Sequence, residues 1–160
     1  KITFTTILIT RKMSQTLNFS VHSRSESPAK TNINVRGFHL IVDEPEALGG
    51  TDQAPNPVEY ILAGYAGCIN IVAHIVAKEQ NINLKDLEID INGDLDPARL
   101  FGTSFSERAG YKNLQVNLKT STKLNEGQRV KWLKEIEYRC PVNDNLSNKT
   151  PIKFLLTPNN

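Results

Sequence analysis

Along this chain of 160 residues, apolar and polar positions alternate with the two-residue period of a half-buried strand over 16–23, 32–42, 84–95 and 114–122. In the third stretch Leu87, Ile89 and Ile91 fall on one face, and in the fourth Leu114, Val116 and Leu118 do the same. A short apolar run at 152–156 predicts a final strand. Two segments follow the helical period instead. One runs from Pro57 to about Glu79. The other opens at Asn125, places Val130, Leu133 and Ile136 at helical spacing, and ends at Arg139-Cys140-Pro141. Residues 43–55, with Pro45, Pro55 and the Gly49-Gly50 pair, form a loop by composition, and 96–111 is a polar connection. The predicted order β-β-α-β-β-α-β, with helices segregated among antiparallel strands and no internal repeat, is an α+β fold.

The first helix carries the sharpest local signals. Asn56 suits the N-cap, Pro57 the first helical position, and Glu59 the third, where its carboxylate can close a capping box. Ala63, Gly64, Ala66 and Gly67 then sit in the helix interior, where a glycine costs about 1 kcal/mol relative to alanine. Such small residues make sense if another backbone packs very close. Glu59, Gly64, Gly67, Asn70 and His74 interrupt the apolar stretch 57–77, which argues for a buried helix rather than a span in lipid.

This length suits one domain, expected over 14–160. Nineteen basic and 17 acidic residues leave a net charge of +2, which gives no basis for a nucleic-acid or membrane-surface partner. Residues 1–13 are expected to stand outside the core, as sequence upstream of a start at Met13. Threonines dilute the apolar run Ile2–Ile9 and no small-residue cleavage site follows, so a secretory signal fits poorly. A cytoplasmic location is the matching expectation.

Cys68 and Cys140 are the two cysteines; there is no Cys-x-x-Cys, and His22, His39 and His74 are scattered. That pattern argues against a structural zinc site, a thioredoxin-type motif and a disulfide scaffold. Cys68 lies about three turns into the first helix and shares a face with Ile61, Gly64, Tyr65, Val72 and Ile75. There it is either a small core residue or a reactive thiol. A reactive one would need a nearby cation, because the helix dipole fades within a turn. Cys140 ends a helix before a proline, where exposed carbonyls disfavour a thiolate and the break in regular backbone lets the segment shift. It is equally well read as an unpaired loop cysteine or as a thiol acting second. Glu59 starts on the face opposite Cys68 and reads as a capping carboxylate, and His74 as a packed helix residue.

Residues 42–68 nevertheless join several motifs: Pro45 to Gly50 as Pro-x-x-Leu-Gly-Gly, Asn56 to Glu59 as Asn-Pro-x-Glu, and Gly64 to Cys68 as Gly-Tyr-Ala-Gly-Cys. Cys140-Pro141-Val142 follows 72 residues after Cys68. Together, over roughly 14–156, they resemble the osmotically inducible and organic-hydroperoxide-resistance superfamily, the OsmC/Ohr-like proteins. The resemblance implies an intertwined α+β homodimer with long central helices packed together and an active site at the dimer interface. It implies a thiol-dependent peroxidase without metal, haem or flavin. Cys68 would be oxidised by a hydroperoxide to a sulfenic acid, Cys140 would close a disulfide, and an external dithiol would reduce it. Arg24, Arg36 and Glu59 are the candidate supporting residues. Where the organic-hydroperoxide branch has a glutamate directly after Asn-Pro, this chain has Val58, with the acid one later at Glu59; the Asp43 to Asp52 phrases look more like the OsmC-like branch. The rival reading is a non-peroxidase member that binds a small apolar ligand at the dimer interface and uses its cysteines as a redox sensor.

Overall fold

The computed structural model describes residues 16–158, so the expected extension at 1–13 lies outside them. The chain divides into two compact units, the first ending at Pro55 and the second beginning at Asn56.

The first unit is an antiparallel meander of β1 (His22–Ser25), β2 (Lys30–Val35) and β3 (Phe38–Asp43). The single strand expected over 32–42 is therefore a hairpin. Val35 pairs with Phe38 across a two-residue turn at Arg36 and Gly37, both with positive φ (49° and 90°). A tight hairpin turn requires that conformation, which glycine adopts freely and arginine does not. At the end of β3 Asp43 is fully buried. Its carboxylate accepts from the Thr51 hydroxyl at 2.6 Å, the Thr51 N–H at 3.1 Å and the Gln53 N–H at 3.1 Å. Between these points a short 3₁₀ turn, Glu46–Leu48, reverses the chain. A Cβ on Gly50 would lie 1.7 Å from the Glu44 carbonyl oxygen, so only glycine fits there. The loop expected from composition is thus a compact knot around one carboxylate.

The second unit contains α1 (Pro57–Glu79), β4 (Glu88–Asp94), β5 (Asn113–Lys119), α2 (Glu126–Arg139) and α3 (Pro141–Ser147). The capping box forms as predicted: Asn56 Oδ1 accepts from Glu59 N–H at 2.9 Å and Glu59 Oε2 from Asn56 N–H at 2.8 Å. Asn125 and Gln128 repeat the device on α2. Strands β4 and β5 pair antiparallel, Ile91 opposite Val116, and turn Ile89, Ile91, Leu114, Val116 and Leu118 toward the core. On α1 the buried stripe is Tyr65, Ile69, Val72, Ala73, Val76 and Ala77, and α2 supplies Trp132 and Ile136. By length and composition α1 would also suit a bilayer; here this stripe builds the core of the unit. Within the chain, α2 meets α1 at the small residue Ala73, whose carbonyl accepts from the Trp132 indole, whereas a Cβ on Gly64 or Gly67 would touch nothing within 4 Å.

Three further expectations are corrected. The strand expected over 16–23 begins only at His22 and runs to Ser25, and residues 16–21 have no regular structure. Residues 152–156 form no strand: they run without regular structure and Phe154 is 92% exposed. An apolar run becomes a strand only where another strand offers its backbone. Pro141, expected to end regular structure, instead starts α3 at its first position, where proline's fixed φ is pre-organised for a helix.

The Thr51 hydroxyl holds Asp43 below the ordinary carboxylate range, with the N–H groups of Gln53, Thr51 and Glu44 assisting and burial opposing. A depressed carboxyl contributes stability that is complete above the unfolded value near pH 3.9 and is lost as pH falls through the lower folded value. Circular-dichroism melts should therefore show wild-type protein losing thermal stability below about pH 4 more steeply than Asp43→Asn. Parallel profiles would contradict this account.

Candidate functional site

Helix α1 places Cys68 at the border between its buried and open faces. Tyr65 and Val72 are buried, while Ile61, Gly64 and Ile75 are exposed, and Cys68 itself is half-buried. Cys140 occupies the joint between α2 and α3. Its N–H donates to the Ile136 carbonyl at 3.1 Å and its carbonyl accepts from Asp144 N–H at 3.0 Å. One residue thus closes one helix and opens the next. It is fully buried, so the loose, shifting segment expected from the proline is a packed elbow.

The elbow brings the two cysteines together. The Cys140 thiol donates to the Cys68 sulfur at 3.0 Å, and both are free thiols. Burial is the largest cause pushing the Cys140 thiol above its ordinary value, and its bond to Cys68 adds to this; the N–H groups of Asn143 and Val142 pull the other way and do not prevail. Cys140 therefore holds its proton. Since a disulfide spans about 2.05 Å, closure needs an approach of only about 1 Å.

Around the thiols lies a polar link that the sequence reading missed. The Tyr65 hydroxyl donates to Asn143 Oδ1 at 2.6 Å, and Asn143 Nδ2 donates to the Glu137 carbonyl at 2.9 Å. Burial, then Cys140, Glu137 and Cys68, raise the Tyr65 pKa, so it remains a protonated donor at neutral pH. Tyr65 and Cys140 also line a cavity of about 580 Å³ bounded by α1, β5, α2, α3 and residues 108–113. Its walls include Ile61, Ile69, Val116, Leu133 and Ile136, and Arg108 contributes a guanidinium. Arg108 has no ion pair among the described residues, whereas its neighbour Lys112 faces Glu107 at 3.4 Å. Arg108 escaped notice because it belongs to the polar connection, which carries no periodic signal.

Of the other residues named from sequence, Glu59 is engaged in the capping box, nine residues or about 13.5 Å of helix axis before Cys68. Arg24 and Arg36 belong to the first unit: Arg24 is exposed in β1, and Arg36 lies 5.6 Å from the Phe38 ring centre. His74, expected to be packed, is exposed, and its Nδ1 bonds the Asn70 carbonyl at 2.8 Å. Among the described residues, no three His, Cys, Asp or Glu side chains group as a metal site would need.

The family model described as OsmC-like protein matches residues 50–154. No curated protein is a significant match to the chain. In fold it is similar to the OsmC-like protein from Mycoplasma pneumoniae, at 15% identity and a TM-score of 0.71, over 83% of this chain and 89% of that one. It is also similar to the organic hydroperoxide resistance protein OsmC from Legionella pneumophila, at 20% identity and a TM-score of 0.63, over 83% and 91%. A third is the organic hydroperoxide resistance protein from Elizabethkingia anophelis, at 17% identity and a TM-score of 0.60, over 82% and 89%.

The two thiols should differ sharply toward alkylation. With iodoacetamide at pH 8, peptide mass spectrometry should find Cys68 modified first, and Cys140 slower by about tenfold or more until the protein is denatured. Equal rates would contradict the burial of Cys140.

Proposed function

From the premise that the chain belongs to the OsmC-like family, we propose that it is a thiol-dependent peroxidase for organic hydroperoxides or hydrogen peroxide, working through a Cys68–Cys140 cycle. The observation that carries this reading is the 3.0 Å separation of two thiols 72 residues apart in sequence. The accessible thiol acts first. The Cys68 thiolate attacks a peroxide oxygen, the O–O bond breaks, and the released alkoxide or hydroxide takes up a proton. Sulfur keeps one oxygen as a sulfenic acid. The Cys140 sulfur then bonds to the Cys68 sulfur, the S–O bond breaks, and hydroxide leaves with the Cys140 proton as water. An external dithiol reduces the disulfide and is itself oxidised, in a cytoplasmic setting where such reductants are held. Arg24 and Arg36 remain the candidate cations for the Cys68 thiolate. The apolar cavity favours a second reading, a small-ligand binder with redox-sensing cysteines.

The same reading includes a homodimer. Ile61, Ile71 and Ile75 are exposed on one face of α1, with Gly64 and Gly67 beside them, an apolar face of the kind a second copy would cover.

Cys68→Ser should abolish peroxide consumption in the presence of a dithiol. Cys140→Ser should still be oxidised once, leaving a sulfenic acid on Cys68 that a dimedone-type probe captures in mass spectrometry. A first sulfenic acid on Cys140 would overturn the roles, and two unreacted thiols after peroxide would favour ligand binding. For assembly, wild-type protein should scatter light as a dimer at micromolar concentration. Gly64→Leu should be a folded monomer: within one chain the added side chain meets open space and gains up to about 1 kcal/mol of helix propensity, whereas at a packed helix contact it overfills by about 1–3 kcal/mol. A dimeric Gly64→Leu would place the contact elsewhere.

A further inference from the structure

Tyr65 and Asn143 have no part in the redox steps above, yet together they touch every element that carries a cysteine. Tyr65 precedes Cys68 by three residues on α1, and Asn143 follows Cys140 by three residues in the first turn of α3. Glu137, whose carbonyl accepts from Asn143 Nδ2, lies in the last turn of α2. One side-chain amide therefore ties α1, the end of α2 and the start of α3 around the elbow. The backbone bonds at the elbow, Cys140 N–H to Ile136 and Asp144 N–H to Cys140, run within single helices or their caps, so neither holds α3 against α1. The Tyr65–Asn143 bond does.

We propose that Tyr65 and Asn143 are positioning residues for disulfide closure, holding the elbow so that the Cys140 sulfur stays within reach of Cys68 after Cys68 has been oxidised. This rests on the two-cysteine reading. Closure demands that the Cys140 sulfur approach opposite the S–O bond that breaks, and a reacting pair misplaced by about 1 Å can lose up to about a hundredfold in rate. The first step does not involve the Cys140 sulfur, so it does not share this demand. Tyr65 stays protonated at neutral pH, as a donor to Asn143 must.

The experiment separates the two steps. Reduced protein is mixed with cumene hydroperoxide and quenched at intervals. Loss of alkylatable Cys68 measures the first oxidation, and the 68–140 disulfide peptide measures closure. Wild-type protein is run first; if it forms no such disulfide, the two-cysteine reading fails and this proposal falls with it. In Tyr65→Phe and Asn143→Ala closure should slow by roughly tenfold relative to the first oxidation measured in the same variant, so that dimedone-reactive Cys68 accumulates. The double variant should close no more slowly than the slower single one, because both substitutions remove the same bond. Wild-type closure rates in both single variants would overturn the proposal and leave the two-cysteine reading standing. Equal slowing of both steps would reduce the pair to a structural role and overturn it as well. Should Tyr65→Phe fail to fold, Asn143→Ala carries the test, since Asn143 is only half-buried and its truncation leaves the α1 core intact.

Discussion

Trp132 is 2% exposed, and its indole N–H donates at 3.0 Å to the Ala73 carbonyl on the neighbouring helix. That contact is possible because Ala73 carries nothing beyond Cβ, which lets α2 approach α1 closely enough for an indole to reach helix backbone. The consequence travels along α2 by its own periodicity. Ile136 and Cys140 follow Trp132 at intervals of four, on the same stripe, and both are buried. Once Trp132 is seated on Ala73, the end of α2 lies along α1, and the Cys140 sulfur is delivered to Cys68. The meeting of the thiols is a result of helix packing rather than of any local motif.

The elbow completes the arrangement. With no linker between α2 and α3, the chain changes direction at one residue, and Pro141 makes the second helix start at once. The return of α3 toward α1 puts Asn143 under the Tyr65 hydroxyl. Burial that secures Cys140 also raises its thiol, while Cys68, at the edge of the core, keeps access to solvent. The two thiols thus differ in accessibility because of where each sits relative to the same core.

Not every motif in the chain serves chemistry. The Pro45 to Gly50 phrase contributed much to the resemblance, yet its visible work is structural. Gly50 clears the Glu44 carbonyl, and the loop wraps the buried Asp43 carboxylate with donors from Thr51 and Gln53. The burial of that carboxylate is tolerable because it is hydrogen-bonded.

What the sequence determined by itself is what depends on near neighbours: the α+β class, the capping box at Asn56, the opening of the second helix at Asn125, the period-two faces of β4 and β5, and the two cysteines as the residues to watch. Even the missed hairpin left a local trace. Its apolar positions shift from Ile33 and Val35 to Phe38 and Leu40, a change of phase that a two-residue turn imposes and a single strand does not allow. Tertiary structure decided the rest. Whether residues 152–156 form a strand depends on a backbone partner, which no run of side chains encodes. Whether Cys140 is a loose thiol or a buried one depends on Trp132 finding Ala73, 59 residues away, and on Asn143 finding Tyr65, 78 residues away. Such contacts have no period and no fixed spacing, because they arise only when helices formed independently are packed against one another.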